Sequence, residues 1–170
     1  HLGYFLMTKK LLDLVEASDY ARIVSVSSSA HYGVSFEFDN LNGEKKYRGF
    51  RAYQKSKLAN VMFTYELAKK VKDSGITANC LHPGFVASKF GNNNNFLWRG
   101  IIGFAKALTA INVKKGAKNS IHLACSDDVK DITGRFFANC KVKKGSAKAK
   151  NEEHNRKLWE ISEEAVAPFL

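Results

Sequence analysis

Apolar residues recur along this chain with two different periods, and the alternation between those periods orders the elements. Leu2, Phe5, Leu6, Leu11, Leu12 and Val15 return at helical intervals over 1–16, and Ser18 and Asp19 then supply turn chemistry. Residues 21–27 (ARIVSVS) are short, β-branched and apolar on more than one face, the pattern of a strand covered from both sides. A polar, glycine-bearing loop over 28–50 separates that strand from a helix over 51–72, where Leu58, Val61, Met62, Leu67 and Val71 share one face and Asp73, Ser74 and Gly75 form the stop. Residues 76–81 read as a second strand, broken at its carboxyl end by Pro83-Gly84, and the stretch beyond, with asparagines at 92–95, has loop composition. Helices are predicted over 96–111 and 114–125, a strand over 134–140 and a last helix over 152–165, while the five lysines of 141–150 read as a solvated loop.

Strands separated by helices require crossover connections, so the order αβαβααβα predicts an α/β fold with a parallel sheet and helices on both faces. In such sheets ligands bind outside the carboxyl ends of the strands, which here are Ser27-Ser28-Ser29 and Pro83-Gly84. A length of 170 residues, 45% of them hydrophobic, suits one domain with one substantial core. The formal charge of +11 favours anionic partners without choosing among phosphorylated cofactors, nucleic acid and lipid headgroups. Cys80, Cys125 and Cys140 lie far apart with no Cys-x-x-Cys spacing, and His31, His122 and His154 show no ligand spacing, so neither a disulfide framework nor a metal site is expected. No apolar run approaches the ~20 residues that cross a bilayer. His82 beside Pro83-Gly84 is expected to be a hydrogen-bonded structural residue.

The candidate chemistry sits at the start of the long helix, in RGFRAYQKSKLAN (48–60). Residues i and i+4 share a helix face, so the Lys57 ammonium can lie near the Tyr53 phenol and favour its ionised form, which suits the phenol to general acid–base work on an alcohol or carbonyl oxygen. A donor that positions that oxygen is available in Ser27-Ser28-Ser29 at the end of the preceding strand. Spacing alone does not decide, because Tyr65 and Lys69 repeat it in the same helix, roughly 18 Å further along the axis. Only Tyr53 has a serine-bearing strand end upstream and a Pro-Gly strand end downstream, so Tyr65 is read as structural.

At these residues the chain resembles the carboxyl-terminal part of a short-chain dehydrogenase/reductase, of the branch containing retinol dehydrogenases and the WW-domain oxidoreductase. RIVSVSSSAH (22–31), LNGEKKYRGFRAYQKSKLANVMFTYELAKK (41–70) and ITANCLHPGFVASKF (76–90) carry the resemblance, and GRFFANCK (134–141) and NRKLWEIS (155–162) continue it. It implies a Rossmann-like, doubly wound parallel sheet in which Tyr53 is the catalytic acid/base, Lys57 lowers its pKa and binds the nicotinamide ribose, and Ser28 hydrogen-bonds the substrate oxygen. Ser27 is the alternative by one position. The resemblance further implies cofactor contacts from Pro83, Gly84, Val86 and Ser88, with the Val86 backbone holding the nicotinamide carboxamide. Substrate choice would lie with the loop over 87–112, whose apolar cluster around Trp98 also fits core packing or a subunit contact.

Two departures shape the expectation for the chain as a whole. No Gly-x-Gly occurs, although the family's glycine-rich turn holds the pyrophosphate at a helix amino terminus, and the sequence opens at His1-Leu2-Gly3, just after the position of the family's active-site asparagine. The expectation is therefore an N-terminally truncated portion of a single domain, 1–170, without the dinucleotide-binding half and inactive alone. The resemblance implies an NADP(H)-dependent oxidoreductase interconverting an alcohol and a carbonyl on retinol, retinal or a similar hydrophobic molecule; NAD(H) stays open. So does an inactive scaffold of the same fold. An intracellular setting is expected, with no nucleic-acid partner. Contact with a membrane surface, and anchoring to endoplasmic reticulum or mitochondrion by a preceding segment, are left open together with the oligomeric state.

Overall fold

The computed structural model describes residues 1–86 and 111–170. Helix α1 (Leu2–Glu16) leads into strand β1 (Arg22–Val26), two short 3-10 turns (Ser29–Gly33 and Phe38–Asn40), and the long helix α2 (Gly49–Lys70). Strand β2 (Thr77–His82) follows, then α3 (Val113–Cys125), β3 (Phe136–Ala138), β4 (Lys141–Lys143) and α4 (Glu152–Val166). The helix expected over 96–111 falls outside the described residues except at its end, where Ile111 forms a parallel bridge with Val86.

The sheet runs β1-β2-β3-β4. β1 pairs with β2 in parallel from Arg22↔Thr77 to Val26↔Leu81, and β2 pairs with β3 in parallel from Cys80↔Phe136 to His82↔Ala138. The expected parallel pairing holds for β1, β2 and β3, and β4, not foreseen as a strand, returns antiparallel along β3, with Phe136 opposite Lys143. The strand expected over 134–140 is accordingly shorter, and the lysine run is not merely a loop. Asn139 and Cys140 both adopt left-handed backbone, with φ of 53° and 57°. Two consecutive left-handed residues make the tight reversal whose twist matches that of paired strands. Lysines then line an edge strand, where charge discourages further pairing. Past β4 the chain dips inward again, burying Ser146 and Ala149.

Apolar side chains cover the sheet on both faces, which accounts for the mixed-face hydrophobicity of β1. On one face α1, α2 and α4 close over Phe5, Phe63, Leu67 and Trp159, and α2 continues the core through Leu58, Val61, Met62 and Phe136. On the other, Leu123 of α3 and Val129 meet Leu81 and Phe137, with Val24 and Val26 packed alongside. Phe5 is fully buried, 4.8 Å from Trp159 and 5.6 Å from Phe63 between ring centroids, so α1 is held to α2 and α4 by one aromatic cluster. Phe5→Ala should therefore cost ~3–5 kcal/mol of stability, the range for truncating a buried aromatic. Urea denaturation checks this; a loss below ~1 kcal/mol would show that α1 contributes little to the fold.

Candidate active site

Helix α2 carries Tyr53 and Lys57 one turn apart, and the Lys57 ammonium lies 5.7 Å from the centroid of the Tyr53 ring. Both residues are half-buried. On its other side Tyr53 meets the ring of Phe50, stacked at 6.3 Å with 30° between the planes. Burial pushes the Lys57 pKa below the ordinary lysine value, since desolvation disfavours the ammonium. Among the described residues no carboxylate pairs with it within 4.0 Å.

Two hydrogen bonds fasten this stretch of α2 to the end of β1. The Ser27 hydroxyl donates to the Lys57 carbonyl at 2.7 Å, and the Asn60 side-chain amide donates to the Val26 carbonyl at 3.3 Å. These contacts also separate the two candidate serines. A hydroxyl has one proton to donate, and Ser27, only 2% exposed, has given its proton to the helix backbone. Ser28 instead accepts the Ala30 amide at 3.2 Å, capping the 3-10 turn, which leaves its hydroxyl proton available to another acceptor.

The end of β2 flanks the same loop. Ser27 N–H donates to Leu81 O at 2.7 Å, and the His82 imidazole Nε2 lies 3.5 Å from the Ser29 hydroxyl, the expected structural contact for that histidine at the long end of the range. Just beyond, Gly84 has φ +93°, and a Cβ there would come within 2.6 Å of Ile111. Glycine is thus required twice over, by backbone conformation and by space. Gly116 in α3 serves the same packing, since a Cβ on it would stand 2.5 Å from the Val86 side chain. Of the residues expected from the sequence, Ser28, Tyr53, Lys57, Pro83, Gly84 and Val86 gather around these two strand ends and the adjoining turn of α2. Ser88 lies outside the described residues.

Tyr65 stands elsewhere. Burial raises its pKa well above the ordinary tyrosine value, and its phenol is hydrogen-bonded to the Gly145 backbone. A separate cavity of about 780 Å³ opens between the loop around Phe36 to Arg48 and helices α1, α2 and α4. It reaches Ala52, Lys55, Ser56 and Ala59 on another face of α2 and includes none of Ser28, Tyr53 and Lys57. Its Glu37 carboxylate is already paired with Lys55 at 2.9 Å and Arg51 at 3.8 Å. The candidate residues Ser28, Tyr53 and Lys57 therefore lie outside this cavity, despite its size.

The sequence pattern described as short chain dehydrogenase matches residues 1–96. This chain belongs to the short-chain dehydrogenase family. It is 40% identical over 168 residues to retinol dehydrogenase 14 of Mus musculus, covering 98% of this chain and 50% of that protein. It is 41% identical over 165 residues to retinol dehydrogenase 11 of Homo sapiens, covering 95% and 50%. This short-chain dehydrogenase chain thus spans about half the length of the relatives it matches. A crystal structure of an uncharacterised Mycobacterium paratuberculosis protein aligns with a TM-score of 0.71 at 27% identity, covering 96% of this chain and 55% of that one. An NADPH-bound carbonyl reductase from chicken fatty liver shares the fold, with a TM-score of 0.57 at 19% identity, covering 85% and 53%. The fold is accordingly Rossmann-like, with an antiparallel edge strand. Among the described residues no helix is long and apolar enough to cross a membrane, and no group of histidine, cysteine and carboxylate residues is arranged to hold a metal.

One feature of the serine loop was missed in the sequence. His31 is fully buried, its Nδ1 2.6 Å from the Ser28 carbonyl oxygen and its Nε2 3.2 Å from the Ser146 amide. Its only sequence signal is a lone histidine three residues beyond the candidate serine, with no metal-ligand spacing around it. Burial pushes the pKa of both His31 and His82 below the ordinary histidine value of 6.5. Below that pH the unfolded chain binds protons that the folded chain refuses, so stability is present in full above it and is lost as pH falls through and below it. Lowering pH from about 7.5 to about 5.5, above the range where carboxylates titrate, should reduce the urea midpoint. A flat or rising midpoint would contradict neutral imidazoles at these positions. Ser27→Ala, measured at neutral pH, should cost about 1 kcal/mol, because the Lys57 carbonyl keeps its helical partner.

Proposed function

We propose that the whole protein is an NADP(H)-dependent oxidoreductase that interconverts an alcohol and a carbonyl on a hydrophobic substrate of the retinol/retinal type. The observation that carries this reading is the clamp between β1 and α2, which ties Ser27, the chain neighbour of Ser28, to the helix turn that bears Tyr53 and Lys57. In the reductive direction the Tyr53 phenol gives its proton to the substrate oxygen, and in the oxidative direction the phenolate takes it back. Ser28 donates its hydroxyl proton in a hydrogen bond to that oxygen, stabilising the charge it gains as the reaction proceeds. Lys57 holds positive charge beside the phenol and favours the phenolate.

The residues present suit a nicotinamide cofactor. A half-buried ammonium with no carboxylate partner among the described residues has donors to spare for ribose hydroxyls. Gly84 keeps the backbone thin where Pro83, Val86 and Ser88 would meet the nicotinamide end. When bound, the cofactor supplies or accepts the hydride. The preference for NADP(H) and for a retinoid rests on likeness to the retinol dehydrogenases named above and to the NADPH-bound carbonyl reductase.

In the natural full-length protein, Tyr53→Phe should lower kcat by at least ~100-fold with the fold retained, the low end for losing a general acid–base group. Tyr65→Phe is the internal control, and should reduce stability while leaving turnover near normal. Equal and mild effects at the two positions would show that Tyr53 is an ordinary helix residue.

A further inference from the structure

The serine expected to orient the substrate oxygen lies just past the point where the sheet stops holding the chain. The last ladder contact is the bond from Ser27 N–H to Leu81 O at 2.7 Å. Ser28 itself is extended, with φ −155° and ψ 153°, and among the described residues its Oγ accepts only the Ala30 amide of its own turn. Ser28 O receives the His31 backbone N–H at 3.2 Å, a bond within the same short turn. Those local contacts tie Ser28 to its turn, and the turn is held against the fold on one side by the Gln54 amide donating to the Ala30 carbonyl at 3.3 Å and by Ser29 Oγ 3.5 Å from His82 Nε2. The His31 side chain reaches the Ser28 carbonyl as well, at 2.6 Å, and continues to the Ser146 amide beyond the β4 edge strand.

Partner chemistry decides the protonation of this imidazole. The Ser146 N–H is only a donor, so Nε2 must accept and carries no proton. The Ser28 carbonyl is only an acceptor, so the single proton of the neutral ring sits on Nδ1. An imidazolium would set a second N–H against the Ser146 N–H. The ring cannot swing aside, because its centroid lies 4.7 Å from Phe136 and 4.0 Å from Tyr32. Tyr32 makes a parallel attachment, its phenol donating to the Lys144 carbonyl at 2.6 Å. Residues 31 and 32 thus grip residues 144 to 146.

We propose that His31 is a positioning residue for the proposed active-site serine: its Nδ1–H fixes the peptide after Ser28, its Nε2 is anchored on the Ser146 amide, and the Ser28 hydroxyl is thereby aimed. This rests on Ser28 acting as the substrate-oxygen donor. The chain is held just before Ser28 by the strand bond and just after it by the imidazole, so the Cα–Cβ direction of Ser28 has little freedom. Displacements of about an ångström at such a group cost on the order of 100-fold in rate.

Two amide replacements divide the roles of the ring. His31→Gln keeps an acceptor near the position of Nε2 and removes the donor to Ser28; His31→Asn keeps a donor near Nδ1 and removes the acceptor for Ser146. In the natural full-length protein, His31→Gln should lower kcat ~10- to 100-fold with KM changed less than ~3-fold. His31→Asn, which releases the turn from Ser146, should lower kcat by a similar factor and also unfold at lower temperature. In a Ser28→Ala background His31→Gln should add almost nothing, because a residue that works through Ser28 has no route left. Full additivity in that double variant, or near-normal kcat in either the Gln or the Asn variant, overturns the positioning role. Near-normal turnover in Ser28→Ala alone would instead sink the catalytic reading of the serine on which the proposal rests. Nitrogen chemical shifts of the unaltered protein give a check independent of variant folding: Nδ1 should carry the proton, and a proton on Nε2 overturns the proposal.

Discussion

A single hydroxyl-to-carbonyl hydrogen bond, from Ser27 to Lys57, joins the two elements on which the site is built. It links the last residue held by the sheet to the middle of a 22-residue helix, and the Asn60 amide repeats the connection one turn later. The consequence is geometric. A serine displaced along β1 by one residue would point to the other face of the sheet, and a helix rotated by one residue would carry its side chains round by about 100°. With both registers pinned, Ser28 and the Tyr53-Lys57 turn keep one relation to each other, although 25 residues of chain separate the serine from the tyrosine.

That clamp depends in turn on hydrophobic burial around it. Leu58, Val61 and Met62 are fully buried on the face of α2 that meets the sheet, so apolar packing presses the helix onto the sheet around these polar pairs. Burying the Ser27 hydroxyl and the Asn60 N–H groups would be costly without acceptors, and main-chain carbonyls of the opposing element accept from each. Polar side chains at this junction are therefore part of the packing as well as part of the chemistry. Ser27 is the clearest case: the neighbour of the proposed functional serine is itself structural.

Much of this was legible in the linear pattern. Helical spacing located α1, α2 and α4 to within a few residues, since each has one broad apolar face against a common core. Pro83-Gly84 marked the end of β2 because neither residue continues a strand and Gly84 takes a left-handed backbone. Tyr53 could be ranked above Tyr65 from their neighbours. The structure separates the two by partner: the half-buried Tyr65 phenol is bonded to the Gly145 backbone, whereas the half-buried Tyr53 ring lies beside the Lys57 ammonium. The lysine run was misread because charge reports solvent exposure and says nothing about backbone pairing. Lys141 and Lys143 are exposed and still form an edge strand, and the left-handed pair Asn139-Cys140 that turns the chain has no glycine to announce it.

By itself, the sequence determined the things that local periodicity and side-chain chemistry can encode: which segments are helix or strand, which faces are apolar, and which residue types could move a proton. These depend on neighbours a few positions apart. The tertiary structure alone decided whose proton is already spent. Ser27 and Ser28 are adjacent and chemically identical, and only the Lys57 carbonyl, 30 residues away, consumes the hydroxyl proton of the first. His31 looked like an unremarkable loop histidine until Ser146, 115 residues further on, presented an amide that requires its Nε2 to accept. Hydrogen bonding is satisfied in space, and a lone pair or a proton is assigned to a partner only when folding brings that partner within reach.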